Sequence, residues 1–375
     1  MMRTTDLTSS TLAALRRRRP YPAVTVTLPT DPRATPAMAK NAVQLRNMIA
    51  EAKRRLEADP DVPREARFDI SEQLDKAAAE VESRYFGESL AIFAARGEHE
   101  LWYLPRHAPE RVVFSDTYLT RNLVAARERT RPYWVLTVAA DLTTLWSGSN
   151  GTLREEQAHG FPATPPSLAP DPEREERTGD VPGPFGGENA RMYLRQVDAG
   201  IEKLLAAEPR PLYLVGAVEA LSLLEDVGGA ARSAVSKVVK GGLAGGPASA
   251  LTEAVTQARD EHAAQDAERV MARIDQAQGR KTFAAGLEEV WQVAREGRIE
   301  LLAVEEGYQR TVRVTGEHLV PVDPAGTSPE ELGSEVQEDI VDEIIETALD
   351  TSSEVAFLPD DALRAHDRIV AVLRF

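Results

Sequence analysis

Strand-like and helix-like segments alternate along this chain in three successive blocks, and that alternation constrains the fold most. The first block opens with Val24–Leu28 (VTVTL), β-branched at alternate positions and stopped by Pro29. From Lys40 to Glu57, Leu45, Met48, Ile49, Ala52 and Leu56 recur at helical spacing, while Arg46, Lys53, Arg54 and Arg55 fall on the other face. A second helix is expected over Ile70–Arg84, then strands at Leu90–Ala94, Leu101–Leu104 and Val112–Phe114.

The second block begins with Tyr133–Ala139 and Thr143–Ser147, joined like a hairpin at Ala140–Leu142. From about Gly148 to Gly187 the composition turns to Pro, Gly, Glu and Arg. Pro162, Pro165, Pro166, Pro170 and Pro172 cannot sit inside a regular element, so a long loop is expected there. A helix over Asn189–Ala207, a strand at Leu212–Val218, the Gly-rich turn Lys240–Gly246 and a helix over Ser249–Gln276 follow. The third block has a helix at Ala284–Glu296, a strand at Glu300–Val304 and an acidic helix to about Asp350. Ser328, Pro329 and Glu331 supply the acidic helix with a cap, a first-turn proline and a capping-box glutamate. Strands at Glu354–Leu358 and Ile369–Phe375 close the chain. The expectation is an α/β protein of three consecutive α/β domains, 1–130, 131–270 with its loop at 148–187, and 271–375.

The chain has 375 residues, enough for two or three cores, and no cysteine, which excludes disulfides, thiol catalysis and Cys-based zinc sites. Met1–Arg19 lacks the apolar stretch of a signal peptide, and no apolar run reaches membrane-spanning length. A cytoplasmic protein without a membrane partner is expected. The net charge of −16 is unevenly spread: the three blocks carry +3, −7 and −12. A polyanion would be met most easily by the first block, and a protein partner or water by the last.

The order of these elements resembles the archaeo-eukaryotic release factor and Pelota family, and more closely its bacterial relatives. Tyr21–Pro29 with the helix Lys40–Leu56, then Leu90–Ala94, resemble the family's first domain. Trp134–Ala139, Leu145–Gly148 and Leu212–Gly216 look like its middle domain. Ala294–Val304 and Ile369–Phe375 look like its third. The resemblance implies a middle domain shaped like ribonuclease H and a C-terminal domain of the L7Ae type.

In the family's release factors a Gly-Gly-Gln tripeptide at the tip of the middle domain enters the peptidyl-transferase centre. At the matching place this chain has Gly186, Gly187 and Glu188, followed by a helix with Arg191 and Arg195. The glycines match and the glutamine does not. A carboxylate has the shape of the amide but no N–H donor, and it brings negative charge to ribosomal RNA. Two readings stay open. Glu188 simply occupies a first helical turn, where negative charge is favoured, or the tip reaches tRNA or ribosomal RNA without hydrolysis, with Arg191 and Arg195 on phosphates. Arg195 has Asp198 and Glu202 as alternative partners. The family reads stop codons with an Asn-Ile-Lys-Ser motif and a Tyr/Cys/Phe motif. Here the corresponding helix is followed by Ala58-Asp59-Pro60-Asp61, and stop-codon reading is not expected.

Further residues suited to RNA are Arg16, Arg17, Arg18 and Arg19, Lys53 and Arg54, and Lys237 and Lys240. A solvated helix end or a plain turn explains them equally. The six histidines show no metal-ligand spacing, Asp141 at the hairpin turn is a single carboxylate, and the glycines at 241–246 match no nucleotide fingerprint, so no metal or cofactor is expected. The resemblance implies a ribosome-associated factor at the A site of stalled or idle ribosomes, contacting rRNA and the tRNA site. A translational GTPase of elongation-factor type is a possible partner, and the acidic helix is either its dock or a solvated face. The alternatives are a peptidyl-tRNA-hydrolysing release-type factor and a stress or signalling protein that kept the fold without ribosome binding.

Overall fold

The computed structural model describes residues 2–3, 7–31, 35–82, 87–149, 151–166, 187–323 and 336–375. Packing divides the chain into two compact units, Met1–Thr130 with Arg269–Phe375, and Arg131–Glu268. The protein is of mixed α/β class, and each of the three sequence blocks has its own main sheet.

The N-terminal part contains strands β1 (Met2–Arg3), β2 (Ala23–Pro29), β3 (Ser89–Ala95), β4 (Glu98–Leu104) and β5 (Arg111–Ser115). Its helices are α1 (Ser9–Leu15), α2 (Thr35–Ala58), α3 (Arg64–Ala79) and α4 (Arg121–Arg129). The sheet order is β1-β4-β3-β2-β5. Strand β2 pairs antiparallel with β3 and β5, and both of its faces are buried. Val24, Val26 and Leu28 pack with Leu45, Ile49, Leu56, Ile70 and Leu74 of α2 and α3. On the other face the polar side chains are bonded: Thr25 Oγ1 accepts the Leu119 amide at 3.0 Å, and Thr27 donates to the Pro109 carbonyl at 2.7 Å. Helix α3 starts six residues before the expected Ile70, just after Pro63, whose extended backbone suits the residue before a first turn.

The second unit is built on β6 (Tyr133–Val138), β7 (Thr143–Ser149), β8 (Thr152–Glu156), β9 (Leu212–Gly216) and β10 (Ser236–Val239), with α5 (Glu188–Ala207), α6 (Val218–Val227) and most of α7 (Ala248–Arg280). The order is β10-β9-β6-β7-β8, parallel among the first three and antiparallel in the rest. One face packs on α5 and α6, the other on α7. The stretch expected to be loop from Gly148 is partly ordered. β7 runs to Ser149, β8 returns beside it, Phe161 is buried, and Thr143 bridges Ala163. Residues 167–186 lie outside the described residues.

The C-terminal part has β11 (Phe283–Ala285), α8 (Leu287–Arg295), β12 (Ile299–Glu305), β13 (Val312–Thr315), β14 (His318–Pro321), β15 (Val336–Gln337), α9 (Ile340–Asp350), β16 (Glu354–Leu358) and β17 (Ile369–Leu373). Its main sheet is ordered β11-β17-β12-β16, and β14-β13-β15 form a small ribbon. The expected helix start at Ser328, Pro329 and Glu331 lies outside the described residues. The helix itself begins at Ile340, because Val336 and Gln337 are taken into the ribbon opposite Arg313 and Val312.

The acidic face of that helix corrects the sequence reading. Glu338, Asp339, Asp342 and Glu346 are buried rather than turned to water or a partner. They meet the N-terminal part, from which Arg55 pairs with Glu338 while the Phe114 amide donates to the same carboxylate at 3.0 Å. Arg111 pairs with Asp339 at 3.0 Å, and Arg121 donates to the carbonyl of Tyr308 and, at 2.8 Å, to that of Glu306. The reason is matching across the seam, by arginines for Glu338 and Asp339 and by the amides of Thr120 and Arg121 and the Thr120 hydroxyl for Asp342 and Glu346, which a count of acidic residues on one helix cannot reveal. Among the described residues no helix is long and apolar enough to cross a membrane.

Candidate functional site

Helix α5 carries Glu188, Arg191 and Arg195, which the sequence singles out, in its first two turns. Tyr193, Leu194, Val197, Ile201 and Leu204 bury one face against the sheet. The Tyr193 hydroxyl lies 2.7 Å from Thr143 Oγ1 and donates to the Ala163 carbonyl at 3.0 Å. A Cβ at Gly200 would stand 2.9 Å from the Phe161 ring, so the glycine lets helix and loop touch. Asp198 accepts the amides of Gly229, Ala230 and Ala231 at 3.0, 3.3 and 2.8 Å, tying the helix to the segment after α6.

Thus anchored, the helix exposes its first turns. Gly187 caps it at φ 116° and ψ 169°, a backbone essentially reserved for glycine. Nothing stands within 4 Å of where its Cβ would be, so the requirement is conformational rather than steric. Glu188, Arg191 and Arg195 are exposed and share a helix face, as do Met192 and Asn189 beside them. Arg195 pairs with Glu188 at 2.9 Å and not with Asp198, whose carboxylate is already committed. Both partners are about half exposed, so the pair contributes only ~0–1 kcal/mol and exchanges readily for another anion. Gly186 lies outside the described residues.

The remaining cations selected from sequence have mixed surroundings. Arg16 is nearly buried and pairs with Asp350 at 3.0 Å. Arg19 is buried against Glu98, its guanidinium 3.9 Å from the centre of the Tyr118 ring. Arg17 also pairs with Glu98, and Arg18, largely exposed, stands 3.5 Å from Asp116. Lys53 pairs with Asp75 at 2.6 Å, Arg54 with Glu51 at 3.3 Å, and Lys237 with Glu225. Lys240 is exposed at the end of β10, where its amide donates to the Gly216 carbonyl at 2.9 Å. The local run Arg16–Arg19 gave no signal for these pairings, since Glu98, Asp116 and Asp350 come from distant segments.

The turn after α2 is held from within. Tyr21 donates to Asp59 at 2.7 Å, the Asp61 amide donates to the same carboxylate at 2.9 Å, and Arg67 donates to the Asp59 carbonyl at 2.7 Å. Among the described residues no group of three or more His, Cys, Asp or Glu could hold a metal ion. Asp141 sits in the β6–β7 turn.

The family described as bacterial archaeo-eukaryotic release factor family 3 matches residues 132–298, a stretch that includes the whole of α5. The resemblance read from the sequence agrees with this match. Among solved structures, the archaeal translation termination factor aRF1 is 15% identical, aligned over 100% of this chain and 99% of its own, with a TM-score of 0.25. Archaeoglobus fulgidus Pelota is 14% identical over 76% and 79%, with a TM-score of 0.36. S. cerevisiae Dom34 is 11% identical over 77% and 74%, with a TM-score of 0.38. A search of curated proteins found no significant match.

Proposed function

We propose that this protein is a ribosome-associated translation factor that occupies the A site of stalled or idle ribosomes, in rescue or hibernation, and does not read stop codons. The observation that carries the reading is a coincidence of place. The stretch matching a release-factor family contains an exposed helix start at Gly187–Glu188 whose backbone only glycine adopts. Gly186, Gly187, Glu188, Arg191 and Arg195 form the proposed tip. Its arginines meet phosphate oxygens, and the Glu188–Arg195 pair opens as they do. Arg17, Arg18, Lys53, Arg54, Lys237 and Lys240 supply further weak phosphate contacts, while Arg16 and Arg19 act mainly in holding α1.

The carboxylate at 188 supports a binding role over hydrolysis, because it offers no N–H donor where the release factors carry an amide. The turn at Asp59 supports the absence of codon reading. Its carboxylate and carbonyl are already engaged by Tyr21, Asp61 and Arg67. Delivery by a GTPase of elongation-factor type belongs to this reading. Such a partner would meet a surface other than Glu338, Asp342 and Glu346, which are buried. Sucrose-gradient sedimentation of the tagged protein from growing and starved cells tests the proposal. Co-migration with 70S ribosomes supports it. Residence at the top of the gradient at low salt in both states contradicts it.

A further inference from the structure

Helix α9 seats two carboxylates, one turn apart, against the start of α4. Asp342 accepts the amides of Thr120 and Arg121 at 3.2 and 2.7 Å, and Glu346 accepts the Thr120 hydroxyl at 3.1 Å. Both are buried. The charged groups around them do not neutralise them. Asp339 caps α9, Glu343 and Asp350 lie on it, and Asp116 comes from the turn after β5; Arg17 and Arg18 also line the cavity but pair with Glu98 and Asp116. Arg121 spends its guanidinium on the Glu306 and Tyr308 carbonyls and on Asp339, and Arg16, at the end of α1, pairs with Asp350. A cavity of about 350 Å³, lined by Arg16, Asp339, Asp342, Glu343 and Glu346 among others, opens beside the pair.

We infer that Asp342 and Glu346 form a proton-held latch between α9 and the start of α4, closed while the pair retains a proton and loosened when alkali removes it. Two neighbouring carboxylates in a poorly solvated seam resist joint ionisation, since each charge raises the cost of the next. Burial first, and then the Asp339 charge, push Asp342 up to about 7. Burial and the Asp342 charge push Glu346 up to about 10. With one proton held, the amides of Thr120 and Arg121 keep a single charged acceptor. With none, two uncompensated charges face one another, and the simplest relief is for α9 to lift from α4 and admit water through the cavity. The C-terminal part would then loosen from the N-terminal part without either unfolding.

Hydrogen–deuterium exchange of the full chain between pH 6 and 9.5, corrected for the intrinsic base-catalysed rate, tests this. Peptides carrying Thr120–Arg121 and α9 are expected to lose protection about tenfold or more over that range. Peptides from the middle of α5 are expected to keep theirs. In Glu346→Gln, which imitates the protonated acid, the alkaline loss at Thr120–Arg121 is expected to disappear. The wild-type series stands without the variant if that substitution impairs folding. Constant protection at Thr120–Arg121, an equal loss in α5, or an undiminished loss in a folded Glu346→Gln protein would each overturn the latch.

Discussion

The amide nitrogen of Arg121 lies 2.7 Å from the carboxylate of Asp342, a hydrogen bond closed across 221 positions of sequence. It makes a side chain of the C-terminal part the cap of a helix in the N-terminal part. Capping satisfies amides that would otherwise be orphaned in a buried place. Around it, Glu338, Asp339 and Glu346 accept donors from Arg55, Arg111 and Thr120. The two parts therefore share one polar seam, and partner binding by the C-terminal part has to use its outer surfaces.

Glu338→Ala is expected to be among the most damaging single substitutions. It removes the carboxylate partner of the Arg55 guanidinium, which keeps only the Val112 carbonyl, and leaves the Phe114 amide unpaired in a buried setting, which costs roughly 3–5 kcal/mol. Urea unfolding of the full chain measures it. A change under about 1 kcal/mol would show that water replaces the carboxylate without loss.

Stability is expected to be greatest in mild acid and to decline in alkali. Asp342 and Glu346 are held above their ordinary values, so the stability they contribute is complete below about pH 4. It is lost as the pH rises through about 7 and toward 10. Glu305 acts in the opposite sense. Burial works against its charge, but Arg368 and the Leu363 amide outweigh that and hold it below the usual carboxylate range. Its contribution is therefore present above about pH 4.5 and lost below it. Thermal melting from pH 4 to 10 should show a decline that begins above pH 4 and continues to the alkaline end, with the larger part of it removed in Glu346→Gln.

Gly187→Ala is expected to separate tip from fold. The left-handed backbone there costs alanine ~1–3 kcal/mol, while no neighbouring atom obstructs the new methyl. The strain falls on the exposed cap of α5, away from the core, so the melting temperature moves little while ribosome binding falls several-fold. Calorimetry and pelleting with ribosomes, on the same preparation, measure the two effects. A large drop in melting temperature with unchanged binding would assign Gly187 a merely structural role.

Wild-type protein is expected to release little or no peptide from stalled ribosomes, because Glu188 has no amide donor. Glu188→Gln should fold normally, since the residue is exposed and its pairing with Arg195 is weak. Release by the wild type well above the factor-free control would favour an enzyme.

Much of the frame was legible because its signals are local. Val24–Leu28 reads as a buried strand from its own β-branched run, and α5 declares its buried face through Leu194, Val197, Ile201 and Leu204. Gly187 and Glu188 could be singled out without knowing what surrounds them. Helix α6 escaped notice because Val218, the first residue after the Gly216–Ala217 corner, continues the apolar composition of β9. Strand β8 is half exposed and carries Arg154, Glu155 and Glu156, so it has no apolar pattern to betray it. The acidic helix was misread for a deeper reason. Whether Glu338 or Asp342 faces water depends on Arg55, Phe114, Thr120 and Arg121, more than two hundred residues away in the chain.

The most direct test of the proposed role is binding of the purified protein to 70S ribosomes with the A site either empty or filled by tRNA, across a series of salt concentrations. The proposed role predicts retention on ribosomes with an empty A site, displacement by A-site tRNA, and weakening as salt rises and counterions compete for phosphates. Binding that is indifferent to A-site tRNA, or no binding at low salt, would contradict it.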